Sequence, residues 1–387
     1  MDFAKTSEKY YLFTLDNREN ISFEEVNKSI EQDINKSIKI NQRIANNIKN
    51  STLIKSLKSD TQQILSNLYD NLIKGRIKDK KITELIISPD GLLNFLPFEA
   101  LYHNGRYLIE DYKISYISSG REFVRQTKRE KANPKYEMIC FGNPDFDAIL
   151  PIVNKKESGI CLGDSYFDSK LPIGSVKAPI QNRVNKETEK EKDLWKKYSF
   201  SNLGDSEIKI IKELYKNNTL ICDGESATVE NLMRVKSTKI LHLSTHGKFL
   251  INDEIKNPMR KAGLAFTGVN NNSSKGIATA LRLSALDLKD TELVVMSACE
   301  SGLGDVQNAE GVVGLLKAFL QAGARNVIMS LWSVSNLKTA ELMEYFYKNI
   351  NRGQDYATAL RNAKLSMIEE KKHPYYWSAF IIHGIQN

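Results

Sequence analysis

Lys239-Ile-Leu-His-Leu-Ser-Thr-His246-Gly247 and Glu292-Leu-Val-Val-Met-Ser-Ala-Cys299-Glu-Ser-Gly302 decide how this chain reads. Both are short aliphatic runs, the pattern of strands buried on both faces of a parallel sheet, and each ends in a turn of small residues. In open parallel sheets chemistry gathers just beyond the carboxyl ends of the strands. His246 and Cys299, at the ends of neighbouring strands and 53 residues apart with His first, are therefore expected to meet in space.

That chemistry needs these residue types. A thiol with a pKa of about 8.5 is only slightly ionised at neutral pH. An imidazole beside it takes the proton or stabilises the thiolate. The tetrahedral intermediate then needs backbone N–H donors, which Gly247 and Cys299 are placed to supply. A glycine after the His also lets the backbone approach a substrate closely. Alone, a Cys at a strand end is ordinarily a small buried hydrophobe and a His a satisfied core residue. Together, in this order and strand context, they read as a catalytic dyad.

Composition bounds the alternatives. The 387 residues suffice for one large or two ordinary domains, and 41% hydrophobic with 26% charged residues is the balance of a soluble globular protein. No apolar run approaches the roughly 18 residues that span a bilayer, and the opening residues lack a signal-peptide core. The four cysteines, Cys140, Cys161, Cys222 and Cys299, show no Cys-x-x-Cys pair. That argues against a zinc site or a disulfide framework and for a reducing cytoplasm. The net charge of +8 comes from Lys mixed with Glu and Asp along the chain, without an aromatic-basic motif, so direct nucleic-acid binding is not expected.

Along the chain, Tyr10 to Asn17 and Ile21 to Phe23 read as paired strands. Isoleucines at 30, 34, 38, 40, 44 and 48 and the apolar residues at 64, 65, 68 and 72 give helical stripes. Glu84 to Ser88 is a strand closed by Pro89-Asp90-Gly91, followed by Leu93 to Leu101, where Pro97 is expected to fix the chain near a helix start. Tyr107–Ile109 and Ile114–Ile117 are expected to pair as a hairpin, and Glu137 to Phe141 is a buried strand ended by Gly142-Asn143-Pro144. Residues 145–205 lack sustained periodicity and read as a flexible insertion: a lid, a cleavable linker or a disordered loop. From Ser206 onward helices and strands alternate to the last strand, Trp377 to His383, which means a parallel α/β sheet with helices on both faces. The division expected is 1–205, a helical segment and first half, and 206–387, a second half holding both dyad residues. His242 faces the same side as His246 but deeper and reads as structural or as a supporting partner. His383 reads as structural and His373 as a solvated loop residue.

Several motifs together resemble the CHAT domain, a caspase-like cysteine protease module related to separase. They are Leu241-His-Leu-Ser-Thr-His-Gly247, Ser297-Ala-Cys299, Glu310-Gly-Val-Val-Gly314, Ala322-Gly-Ala-Arg-Asn-Val327, Ser330-Leu-Trp332 and Trp377-Ser-Ala-Phe380, with Pro89-Asp-Gly-Leu92 and Leu96-Pro-Phe-Glu-Ala-Leu101 earlier. The His-before-Cys order, roughly 50 residues apart, is also that of caspases. The resemblance implies a caspase-like parallel-sheet sandwich of two tandem halves, a pseudo-protease and an active protease. It also implies a Cys299–His246 dyad with endopeptidase activity that needs no metal or organic cofactor. It further implies a protein substrate, an activating protein or sensor partner, and for bacterial members a place in defence systems. Related members carry acidic residues just after the Ser-Leu-Trp strand. Here Ser335 and Asn336 stand in that region, uncharged, so a basic P1 side chain finds no partner there. Asp305 and Glu310 are the remaining acidic candidates for substrate binding. The rival reading is a regulatory protein-binding module whose dyad is locked or unused.

Overall fold

A computed structural model describes residues 1–128, 132–150, 194–236, 238–250, 255, 257–298 and 308–385, without the side chains of 308–312. The middle of the expected insertion, residues 151–193, lies outside these. Two compact units divide the chain: Met1–Glu130 with Ser301–Ala309 and Ser330–Asn387, and Lys131–Glu300 with Glu310–Met329.

The first unit opens with a three-stranded antiparallel sheet of β1 (Asp2–Lys5), β2 (Lys9–Leu15) and β3 (Ile21–Asn27). Period-2 alternation sends Tyr10, Leu12 and Val26 inward, while Phe13, Leu15, Ile21 and Phe23 stay exposed on the other face. Asp16 makes the turn between β2 and β3, its Oδ1 accepting from the N–H groups of Arg18 and Asn20 at 2.9 Å each. The expected helical stripes are helices Ile30–Asn46 and Ser51–Leu72, which bury Ile30, Ile34 and Ile44, and Ile54, Leu57, Leu65, Leu68 and Leu72. Asn50 caps the second, its Oδ1 accepting from Leu53 N–H at 3.0 Å.

Two expectations in this unit are corrected. The helix start expected near Pro97 is only a 3-10 turn, Phe98–Ala100, separated from another, Gly91–Phe95, because Pro97 between them has no N–H to continue a ladder. The expected hairpin of Tyr107–Ile109 with Ile114–Ile117 does not form. A two-residue turn at Asn104 and Gly105, both with positive φ, pairs β5 (Tyr102–His103) with β6 (Arg106–Tyr107) instead. Leu108–Asp111 then makes one helical turn, and β7 (Lys113–Tyr116) runs parallel to β4 (Glu84–Ile87). The C-terminal strand, Phe380–His383, pairs parallel with the other side of β7.

The second unit is built on parallel strands in the order β15–β14–β10–β8–β9. They are β8 (Tyr136–Pro144), β9 (Thr219–Gly224), β10 (Thr238–Ser244), β14 (Leu293–Ser297) and β15 (Asn326–Ser330). Every residue of β14 and β15 is buried, which accounts for their unbroken apolar runs. Helix Ser206–Leu214 packs on β8 at Gly142, where a Cβ would stand 2.2 Å from Ile208 Cδ1. Between β10 and β14 the chain builds a small antiparallel sheet of β11 (Gly247–Phe249), β12 (Ala262–Ala265) and β13 (Ile277–Thr279). The parallel α/β class is the one expected. Cys222 is buried in β9.

Candidate functional site

The ends of β10 and β14 converge. His242 lies opposite Val295 and Ser244 opposite Ser297, so the pairing offset is 53 residues, and Thr245 N–H donates to the Ser297 carbonyl at 3.3 Å. The same offset separates His246 from Cys299. Cys299 and Asp305 lie outside the described residues, as does the Glu310 side chain. The described chain on the β14 side ends at Ala298, which is buried. Its carbonyl oxygen is 3.4 Å from where a Gly247 Cβ would stand, so Gly247 lies directly against the residue before Cys299. Gly247 pairs with Leu264 across β11 and β12, and Ala265 N–H donates to the His246 carbonyl at 2.9 Å. That puts Gly247 at a non-hydrogen-bonded position, with its own N–H turned away from β12.

His246 stands in an aromatic slot. Its ring centroid is 5.4 Å from that of Phe146 and 5.8 Å from that of Phe200, tilted by 38° and 40°. Its Nε2 is 2.7 Å from the Ser201 carbonyl. A carbonyl only accepts, so Nε2 carries the hydrogen and Nδ1 keeps the lone pair of the neutral ring. Burial lowers the His246 pKa from its ordinary value, and the Ser201 carbonyl opposes that in part by favouring the protonated ring. The neutral, proton-accepting form is thus the resting state at neutral pH.

Beneath the slot lies a buried carboxylate. Glu207, in the first turn of helix Ser206–Leu214, accepts at Oε1 from Ser297 Oγ at 2.8 Å and from Ser244 Oγ at 3.2 Å. Its Oε2 is 3.2 Å from Nε2 of His242, which is fully buried. One side chain therefore ties together the strands that end at His246 and at Ala298, and His242 supports the site from below. The two described ends of the expected insertion are packed: Phe146, Trp195 and Phe200 share a buried cluster with Leu250, Ile255, Ala265, Val269 and Ile277.

Ser335 and Asn336 belong to the other compact unit. Ser335 is the N-cap of helix Asn336–Asn351, its Oγ accepting from Lys338 N–H at 3.4 Å, which accounts for the residue type there. Among the described residues no three His, Cys, Asp or Glu side chains gather in a metal-binding group. No described helix is long and apolar enough to cross a membrane. Phe146, Phe200, Ser201 and Glu207 went unread in the sequence. Ser201 acts through its backbone and carries no side-chain signal, and Glu207 reads as an ordinary acidic residue of a helix first turn.

Tetratricopeptide repeat protein 28 of Mus musculus is 33% identical over 111 residues, 27% of this chain and 4% of that protein. Its Homo sapiens counterpart is 32% identical over 111 residues, with the same coverage. The chain thus spans a small fraction of the curated relatives it matches. Two crystal structures of the Saccharomyces cerevisiae separase–securin complex align with 79% of this chain. One, at TM-score 0.41 and 11% identity, is covered over 16% of its own chain. The other, at 0.42 and 12%, is covered over 15%. The sequence model of the CHAT domain matches residues 62–385, which is most of the chain, and the protein belongs to the CHAT domain family.

Proposed function

We propose that the chain is a cysteine endopeptidase with Cys299 as nucleophile and His246 as general acid and base. The observation that carries this is the pairing of β10 with β14 at an offset of 53, which sets Ser244 beside Ser297, each two residues before a member of the proposed dyad. His246 supports it: its Nε2 is engaged by Ser201 and its Nδ1 keeps the lone pair a base needs. In the proposed reaction Nδ1 takes the thiol proton and the thiolate sulfur bonds to the scissile carbonyl carbon. The N–H groups of Gly247 and Cys299 hold the resulting oxyanion. Collapse breaks the C–N bond as His246 returns the proton to the leaving amine. Water, deprotonated by the same nitrogen, then hydrolyses the thioester and restores the thiol.

The substrate is a protein, and the enzyme is latent until an activating protein engages it, in the cytoplasm and within a bacterial defence or other regulated-proteolysis system. The match to a protein named for its tetratricopeptide repeats supports a protein partner. A second reading, a regulatory binding module with an unused dyad, is favoured by the exposed Phe13, Leu15, Ile21 and Phe23 on one face of the N-terminal sheet.

Intact-mass analysis after exposure to a peptide bearing a thiol-reactive warhead tests the dyad. A single adduct on the wild type and none on Cys299→Ala is expected. Equal labelling of both proteins contradicts the assignment of Cys299.

A further inference from the structure

Asn270 lies in the polar stretch between β12 and β13 and holds both aromatic walls of the slot around His246. Its Oδ1 accepts from Phe200 N–H at 2.9 Å and its Nδ2 donates to the Phe200 carbonyl at 3.0 Å. The one amide thus satisfies both backbone groups of Phe200, as a neighbouring strand would. Nδ2 also donates to Asp147 Oδ1 at 2.7 Å, and the Asn270 backbone N–H donates to the Phe146 carbonyl at 3.0 Å. Phe146 and Phe200 are the rings that flank the imidazole, 5.9 Å from each other. Phe200 directly precedes Ser201, whose carbonyl engages Nε2. Glu207 anchors the far end of the same segment to Ser244 and Ser297.

We infer that Asn270 is a positioning residue for His246: it ties the backbones at Phe146 and Phe200 together, and so sets the slot and the Ser201 carbonyl that decides which ring nitrogen carries the hydrogen. The inference rests on the reading of His246 as the general base. Without the amide, both backbone groups of Phe200 lose their partners in a half-buried place and turn to water. The walls separate, water reaches the ring, and the Ser201 carbonyl no longer selects one tautomer.

Nitrogen-15 NMR of the histidine rings in the full chain, together with the rate of Cys299 alkylation by iodoacetamide, tests this. In the wild type His246 is expected as the Nε2–H tautomer, titrating below its ordinary value. In Asn270→Ala the two tautomers mix, the titration midpoint rises by about half a pH unit or more, and alkylation at pH 7 slows about tenfold. Asn270→Asp keeps the acceptor for Phe200 N–H and loses both side-chain donations, so it is expected between the two. Unchanged His246 shifts and midpoint in the folded variants, with only a lower melting temperature, overturn the inference, as does unfolding of both variants. A His246 that responds to Asn270 while wild-type Cys299 reacts no faster than an ordinary thiol leaves the positioning role standing and removes the protease reading.

Discussion

The two compact units each place polar groups near the ends of parallel strands, and they treat them in opposite ways. In the first unit Lys364 and Glu99 form an ion pair at 3.0 Å with side chains 1% and 2% exposed. The Tyr116 hydroxyl, at the end of β7, donates to the other Glu99 oxygen and accepts from Phe98 N–H at 2.8 Å. Each member has its partner, and water is excluded. Burial lowers the Lys364 pKa, and Glu99 opposes it. In the second unit His246 has one nitrogen held by Ser201 and the other left with its lone pair, in a ring that is only partly buried. A closed network fixes structure. An imidazole held at Nε2, with no described partner at Nδ1, keeps a lone pair that can accept a proton.

The largest expected effect breaks the closed network. Lys364→Ala should destabilise the protein by about 3–5 kcal/mol in denaturant unfolding, because it strands the buried Glu99 carboxylate. Lys364→Met combined with Glu99→Gln should recover most of that, since neither charge then needs a partner.

Acid comes next. His373, expected as a solvated loop residue, is instead buried as the N-cap of the helical turn Pro374–Trp377, and burial lowers its pKa to about 4 and that of His383 to about 3. Between those values and about 6.5 the unfolded chain binds protons that the folded chain refuses, so stability falls as pH drops through that window. His373 alone should account for about 3 kcal/mol by pH 4. Thermal unfolding across pH 7 to 4 measures this, and His383→Gln should flatten the curve. A flat wild-type profile contradicts the burial of both rings.

A smaller effect sharpens the contrast from the other side. Glu207→Gln should cost about 1.5–3 kcal/mol through weaker bonds to Ser244 and Ser297. It should also slow Cys299 alkylation, because the two strand ends are tied less firmly. Slower alkylation with unchanged stability would place the effect of Glu207 at the slot alone. The least effect is expected at Asn50→Ala, about 1 kcal/mol from one lost helix cap, with Cys299 reactivity unchanged.

The sequence was most legible where pattern and packing agree. The buried strands β10 and β14, their parallel pairing and the approach of their ends follow from two aliphatic runs. Other features depend on turn chemistry. Asn104-Gly105 signalled a tight hairpin that the apolar residues on either side of Asp111 obscured. The strands β11, β12 and β13 are short and rich in Gly and Ala, so only the stretch near Leu264 stood out. The site was half legible. His246, His242 and Gly247 are proposed for it from residue type and spacing. Ser201 works through a backbone carbonyl, Asn270 reads as loop polarity, and Phe146 and Phe200 meet His246 only through tertiary packing.

In the proposed reaction His246 activates Cys299. The direct measurement is the pH dependence of Cys299 alkylation, located by peptide mapping, in the wild type and in His246→Ala. A wild-type midpoint well below about 8.5 and a shift to an ordinary thiol profile in the variant are expected. Superimposable profiles, both near about 8.5, would contradict it.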